Sequence, residues 1–264
     1  MLTTAKKIKG FKLRGIDGEV GSIREFFFDD KFWTIRYLVA NTGGLFNRKE
    51  VLISPYFLMN VSDDEDVIHV NLTKSEIENS PSLESEMPVS RRYEEAYYGY
   101  YGAPVYWGGP SMWGSSETIT HDREKWNTMS PLENSWDPNL QSSKDVTGHN
   151  IQATDGEIGH VEDFIIDDDN WAIRYLVLDT KNFLPGKKVL ISPQWIERID
   201  WVDSKVFVDL SRESIKHAPE YDADKMLTRE NETRLHDYYK RKGYWSDDTF
   251  THESSRRHFR SGQQ

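Results

Sequence analysis

Residues 33–39 read WTIRYLV and residues 171–177 read WAIRYLV, one seven-residue run spelled twice with Thr34 against Ala172 as the only change. The copies lie 138 positions apart. Sliding the chain on itself by that offset aligns 10–81 with 148–219 without a gap, and 25 of the 72 positions are identical, which marks an internal duplication. DGEVG at 17–21 meets DGEIG at 155–159, and VLISP at 51–55 meets VLISP at 189–193.

The register extends beyond the well-matched body. Upstream, Leu2 and Lys6 fall on Leu140 and Lys144; downstream, Arg91, Glu94, Tyr100, Tyr101, Tyr106 and Trp107 fall on Arg229, Glu232, Tyr238, Tyr239, Tyr244 and Trp245. The unit of duplication is therefore about 107 residues, a body followed by a tail ending in YY-x4-YW. Modules are expected over 1–107 and 139–245, joined by a Gly, Ser, Pro and Asn-rich connector at 108–138 and followed by a disordered end at 246–264.

The totals narrow the function classes. Thirty-three Lys and Arg against 44 Asp and Glu give a net charge of −11, which repels phosphate backbones, so nucleic acid is not an expected partner. The absence of cysteine excludes disulfide and thiolate chemistry and fits a reducing compartment, and no run approaches the roughly 18 apolar residues of a membrane span. A cytoplasmic chain without membrane insertion is expected.

Short β-branched and aromatic runs near 11–14, 20–28, 33–41, 50–54, 56–61 and 67–72, with no long helix between them, predict six strands closing into a small barrel. Asp17-Gly18 and Asp155-Gly156 are hairpin signals, because glycine accepts the positive φ that a tight turn asks for. Thr73 and Glu76 have capping-box spacing, and tail helices are expected over 90–101 and 228–241.

Candidate chemistry is sparse. Arg36 and Arg174 lie inside apolar strands, where strict alternation puts Ile35 and Tyr37 on one face and Arg36 and Leu38 on the other. A guanidinium there suits an anion site or, more simply, a pair with a carboxylate such as Asp17 or Glu19. Asp17, Glu19, Asp155 and Glu157 beside glycines read as turn formers, and neither a calcium loop, a histidine ligand spacing nor a G-x-S-x-G elbow is present. No catalytic, cofactor or metal residues are assigned.

DGE-[VI]-G, an acidic tip, W-x-I-R-Y-L-V and V-L-I-S-P in this order resemble the PRC-barrel domain, known from the photosynthetic reaction centre H subunit and a ribosome-maturation factor. In each copy the motif residues are Asp17, Gly18, Gly21, Arg36 and Tyr37, and Asp155, Gly156, Gly159, Arg174 and Tyr175. The resemblance implies two small β-barrels in tandem, each with a helical aromatic tail, in a mainly β bacterial protein. It implies an assembly module without catalytic residues, in a setting such as stress tolerance. The expected function is a non-enzymatic adaptor for protein partners, with Tyr100, Tyr101, Tyr106, Trp107, Tyr238, Tyr239, Tyr244 and Trp245 as contacts, since interfaces favour Tyr and Trp. The tails are expected to dock on the face carrying Arg36 and Leu38, in their own module or the other. Self-association stays open, and the alternative is an H-subunit-like accessory at a membrane redox complex.

Overall fold

The computed structural model describes residues 1–43, 49–83, 89–103, 105, 140–180 and 187–246. The expected connector and the chain beyond Ser246 lie outside them. The first repeat runs β1 (Leu2–Thr4), α1 (Ala5–Ile8), β2 (Lys12–Gly15), β3 (Gly18–Asp29), β4 (Thr34–Thr42), β5 (Lys49–Ile53), a 3-10 turn at Pro55–Phe57, β6 (Leu58–Ser62), β7 (Val67–Val70), α2 (Lys74–Glu78) and α3 (Arg91–Tyr101). The second repeats it as β8 (Leu140–Ser142), α4 (Ser143–Val146), β9 (Asn150–Ala153), β10 (Gly156–Asp167), β11 (Ala172–Asp179), β12 (Lys188–Ile191), a 3-10 turn at Pro193–Trp195, β13 (Ile196–Asp200), β14 (Lys205–Val208), α5 (Arg212–His217) and α6 (Arg229–Tyr239). All six expected strands are present, and the fold is mainly β.

In the first repeat the strand order is β6-β7-β2-β3-β4-β5, antiparallel except for the β2–β7 pair, where Lys12 lies against Val67. The expected closure is corrected here: among the described residues no ladder joins β5 to β6. Pro55 has no amide to donate, and Ser54 caps a 3-10 turn instead of continuing the strand, so the chain rounds a corner between the two sheet ends.

Strict alternation along β4 also fails. Phe28 opposes Ile35 while Phe27 opposes Tyr37, so Arg36 is a bulge residue, and Ile35 and Tyr37 face opposite sides of the sheet. Both sides of the sheet are covered, and Leu13, Phe26, Phe28, Ile35, Tyr37 and Leu52 are all out of solvent.

Each DGE turn ties strand to helix. The Asp17 Oδ1 accepts from the amide of Lys74 at 2.7 Å, and Asp155 does the same for Arg212 at 2.7 Å, each stabilising the positive end of a short helix. The last glycine of each motif sits where strands crowd: a Cβ on Gly21 would lie 1.8 Å from the Asn41 carbonyl oxygen, and one on Gly159 2.0 Å from that of Asp179.

Two compact units emerge, one of residues 1–149 with 162–176, the other of 150–161 with 177 onward. The first therefore includes segments of both repeats. Within it β1 runs antiparallel to β10, with Leu2 on Asp167, and β8 runs antiparallel to β3, with Leu140 on Asp29. The amide of Ile35 donates to the Trp171 carbonyl at 2.8 Å, and that of Ile173 to the Trp33 carbonyl at 2.7 Å.

Asp163, also in this unit, accepts from the amides of Lys6 at 3.0 Å and Phe164 at 2.9 Å. Burial, partly offset by those bonds, raises its pKa from 3.8 to about 6. The folded state thus holds the proton more tightly than the unfolded chain, and stability present below pH 3.8 falls as pH rises to about 6. Asp163→Asn is expected to flatten the pH dependence of the unfolding free energy over that window; an unchanged slope in denaturant titrations would count against a buried, proton-binding carboxyl.

Candidate protein-binding face

Ser90 accepts from the amide of Tyr93 to start α3, and Gly102, at φ +62, ends it. Between those caps, Tyr93, Tyr97 and Tyr98 fall on one side and are buried. The stripe packs on the β5–β6 corner of its own repeat. Tyr97 rings Tyr37 edge-on at 5.5 Å, Tyr101 lies 4.8 Å from Phe57, and the Tyr97 hydroxyl accepts the Ser54 amide at 2.8 Å.

Beneath the helix the Tyr37 hydroxyl donates to Glu94 Oε1 at 2.7 Å, and Arg91 pairs with Glu94 at 3.0 Å. Burial pushes Tyr97 well above its ordinary pKa, and Tyr98 and Tyr101 up to about 12, so these phenols stay neutral hydrogen-bonding groups.

The second tail repeats the plan with other side chains. Leu235 and His236 stand where α3 has Tyr97 and Tyr98, and Trp195 replaces Phe57. Trp195 meets Tyr239 at 4.7 Å and His236 at 5.2 Å, while Trp245 closes on His236 at 4.9 Å. Burial lowers the His236 pKa, keeping the ring neutral. The Tyr244 hydroxyl donates to Glu232 at 2.9 Å, and Arg229 reaches both Glu232, at 3.0 Å, and the Trp245 ring, at 4.3 Å.

These contacts sort the expected binding residues. Tyr101, Tyr239, Tyr244 and Trp245 are half-buried against their own repeat, and Tyr106 and Trp107 lie outside the described residues. Tyr100 and Tyr238 keep exposed rings, each anchored by a hydroxyl that donates to a short-helix carbonyl, of Glu76 at 2.9 Å and of Ser214 at 2.8 Å. The first tail docks within its own repeat, on the 3-10 corner and on Tyr37, with Tyr98 near enough to Arg36 to feel its charge.

Reading the tails alone missed Tyr56 and Met59. Met59 is 65% exposed on β6, an edge strand whose only ladder partner among the described residues is β7. Rings link Tyr56 to Phe57 at 5.3 Å, Phe57 to Tyr101, and Tyr101 to Tyr100 at 4.8 Å, so one aromatic patch runs from the exposed Tyr56 to the exposed Tyr100. A signal was available in the duplication itself: the second repeat has Gln194 and Glu197 at these positions.

The arginines serve the fold. Arg36 pairs with Asp29 at 3.1 Å, both buried, and Arg174 with Asp167 at 2.8 Å, in place of Asp17 or Glu19. The acidic tip at Asp167, Asp168 and Asp169 holds the α-ammonium of Met1, 3.8 Å from Asp167 and 3.3 Å from Asp169. Tyr175 is fully buried. A cavity of about 390 Å³ in the second unit is floored by Leu190 and Leu235 and rimmed by Glu220, Asp222, Lys225 and Arg234. Its rim mixes both signs and presents no convergent set of acids or bases.

Comparison with curated proteins finds no match. A family model described as the PRC-barrel domain matches residues 3–77 and again 141–215, together more than half of the chain. The two matches cover the duplicated bodies and stop short of both aromatic tails. With the DGE turns, the WxIRYLV strands and the VLISP corners all inside those spans, the chain belongs to the PRC-barrel family and carries the domain in tandem.

Proposed function

We propose that this protein is a non-enzymatic adaptor that binds a protein partner along β6 of the first repeat. Exposed Met59 on the unfilled edge strand β6, and the ring chain that joins exposed Tyr56 to exposed Tyr100 just before it, support this reading. An extended segment can add its backbone to such an edge while its side chains enter the flanking apolar surface. The β6–β7 turn carries Asp63, Asp64, Glu65 and Asp66. The fitting partner is thus an extended peptide with apolar residues and Lys or Arg at one end. The polar Gln194 and Glu197 make the second repeat a poorer site of this kind.

No helix among the described residues is long and apolar enough to cross a membrane. A cytoplasmic adaptor, in the stress-tolerance setting the family likeness implies, fits the cysteine-free, acidic composition. A photo-crosslinking amino acid at position 59 is expected to trap a partner in cells of the source organism. The same group at position 197 should trap none, and Tyr56→Ala should reduce the adduct about tenfold, as removal of an interface aromatic does. Equal adducts at both positions, or none at 59, would remove β6 from the binding site.

A further inference from the structure

The strand contacts inside the first compact unit obey a rule of exchange. Leu2 on Asp167 becomes Leu140 on Asp29, and the Ile35-to-Trp171 bond becomes the Ile173-to-Trp33 bond, when 138 is added to one residue and subtracted from the other. Thr34 and Ala172, counterparts in the duplication, oppose each other at the centre. Contacts that map onto themselves in this way are those of an isologous pairing, in which two copies of one surface meet.

Backbone conformation points the same way. Trp33 and Trp171 have φ of 52° and 59°, a left-handed state that a bulky residue holds only where its surroundings impose it. The carbonyls of these two residues are the acceptors of the central bonds. Phe28 and Phe164 pack at 5.9 Å beside them.

We propose that this surface is a homotypic dimer interface carried within one chain. The partner it fits is a second PRC-barrel repeat of this kind, recognised without help from the covalent connection, and the chain supplies that partner itself. Divergence has made the contact directional. Lys6 pairs with Glu162 at 2.6 Å, and the counterpart of Glu162 is Arg24. The Phe26 amide donates to Ser143 Oγ at 3.2 Å, and the counterpart of Ser143 is Ala5. Two first repeats together would set Lys6 against Arg24 and leave the Phe26 amide facing a methyl group, so pairing of two first repeats is disfavoured.

The test cuts the full chain at a specific protease site placed within 108–138. At about 1 µM the two fragments are expected to remain one particle of the uncut mass, 30.9 kDa, by light scattering. Native mass spectrometry should then show the mixed pair, with pairs of two first repeats absent. Separation into half-mass particles, precipitation on cutting, or first–first pairs as abundant as mixed ones would each overturn the proposal.

Ser142→Ala with Ser143→Ala removes the Ser142 bond to Glu25, 2.5 Å, and the acceptor for Phe26, both within this surface. The cut variant should need at least about tenfold higher concentration to stay paired, the effect of losing two such bonds. An unchanged dissociation constant would place the association on another surface.

Discussion

Gly159→Ala is expected to destabilise the chain by about 2–5 kcal/mol, combining a left-handed backbone with forced overlap in a packed strand pair. Gly159 has φ +74, and a Cβ there would sit 2.0 Å from the Asp179 carbonyl oxygen, a backbone atom that no rotamer change can move aside. Gly21 carries the same clash without the positive φ, its Cβ falling 1.8 Å from the Asn41 oxygen, so Gly21→Ala should cost about 1–3 kcal/mol. Gly10 and Gly148 supply the control. They have φ of +96 and +94 with nothing within 4 Å, so alanine there should cost only about 1–2 kcal/mol. Denaturant melts rank the four. A Gly159→Ala chain as stable as the parent would mean that β10 and β11 do not approach so closely.

Glu94→Ala should cost about 3–5 kcal/mol, because it takes the paired carboxylate away from a largely buried guanidinium. Glu94 is fully buried, the Arg91 side chain is 9% exposed, and the Tyr37 hydroxyl loses its acceptor at the same stroke. Glu232→Ala removes the counterpart carboxylate, yet Arg229 is 53% exposed and can rehydrate, so about 1–3 kcal/mol is expected. Urea unfolding measures the difference between the two variants. Equal losses would contradict the unequal burial of the two arginines. The Glu94 variant should also loosen α3 to proteolysis, since its carboxylate joins the helix to the Tyr37 hydroxyl on β4.

The strands and caps were legible because their causes are local. Alternating Val, Ile and aromatic residues mark β3, β4 and β7, and the Thr73–Glu76 box forms with its two reciprocal bonds at 2.7 and 3.2 Å. The bulge at Arg36 was not legible, since an extra residue in one strand depends on the register of its neighbour and leaves no compositional trace. β1 and β8 are three residues long, too short for a period-two pattern to show. The tails were read correctly as helices; tyrosine suits both a wet interface and a hydrogen-bonded interior, and which hydroxyls turn inward is decided by partners elsewhere in the fold, the Ser54 amide and hydroxyl and the Pro81 carbonyl. Met59 and Tyr56 could have been found by asking where the two copies disagree.

Position 34 and its counterpart 172 are the one place where the two heptads differ, and they stand face to face. In an assembly of two separate, identical chains, a residue on the symmetry axis must be its own neighbour, so any change there is made twice at once. Joining both copies into one gene lifts that restriction. A threonine can then sit opposite an alanine, and the middle of this pairing can be fitted by two different side chains chosen one at a time.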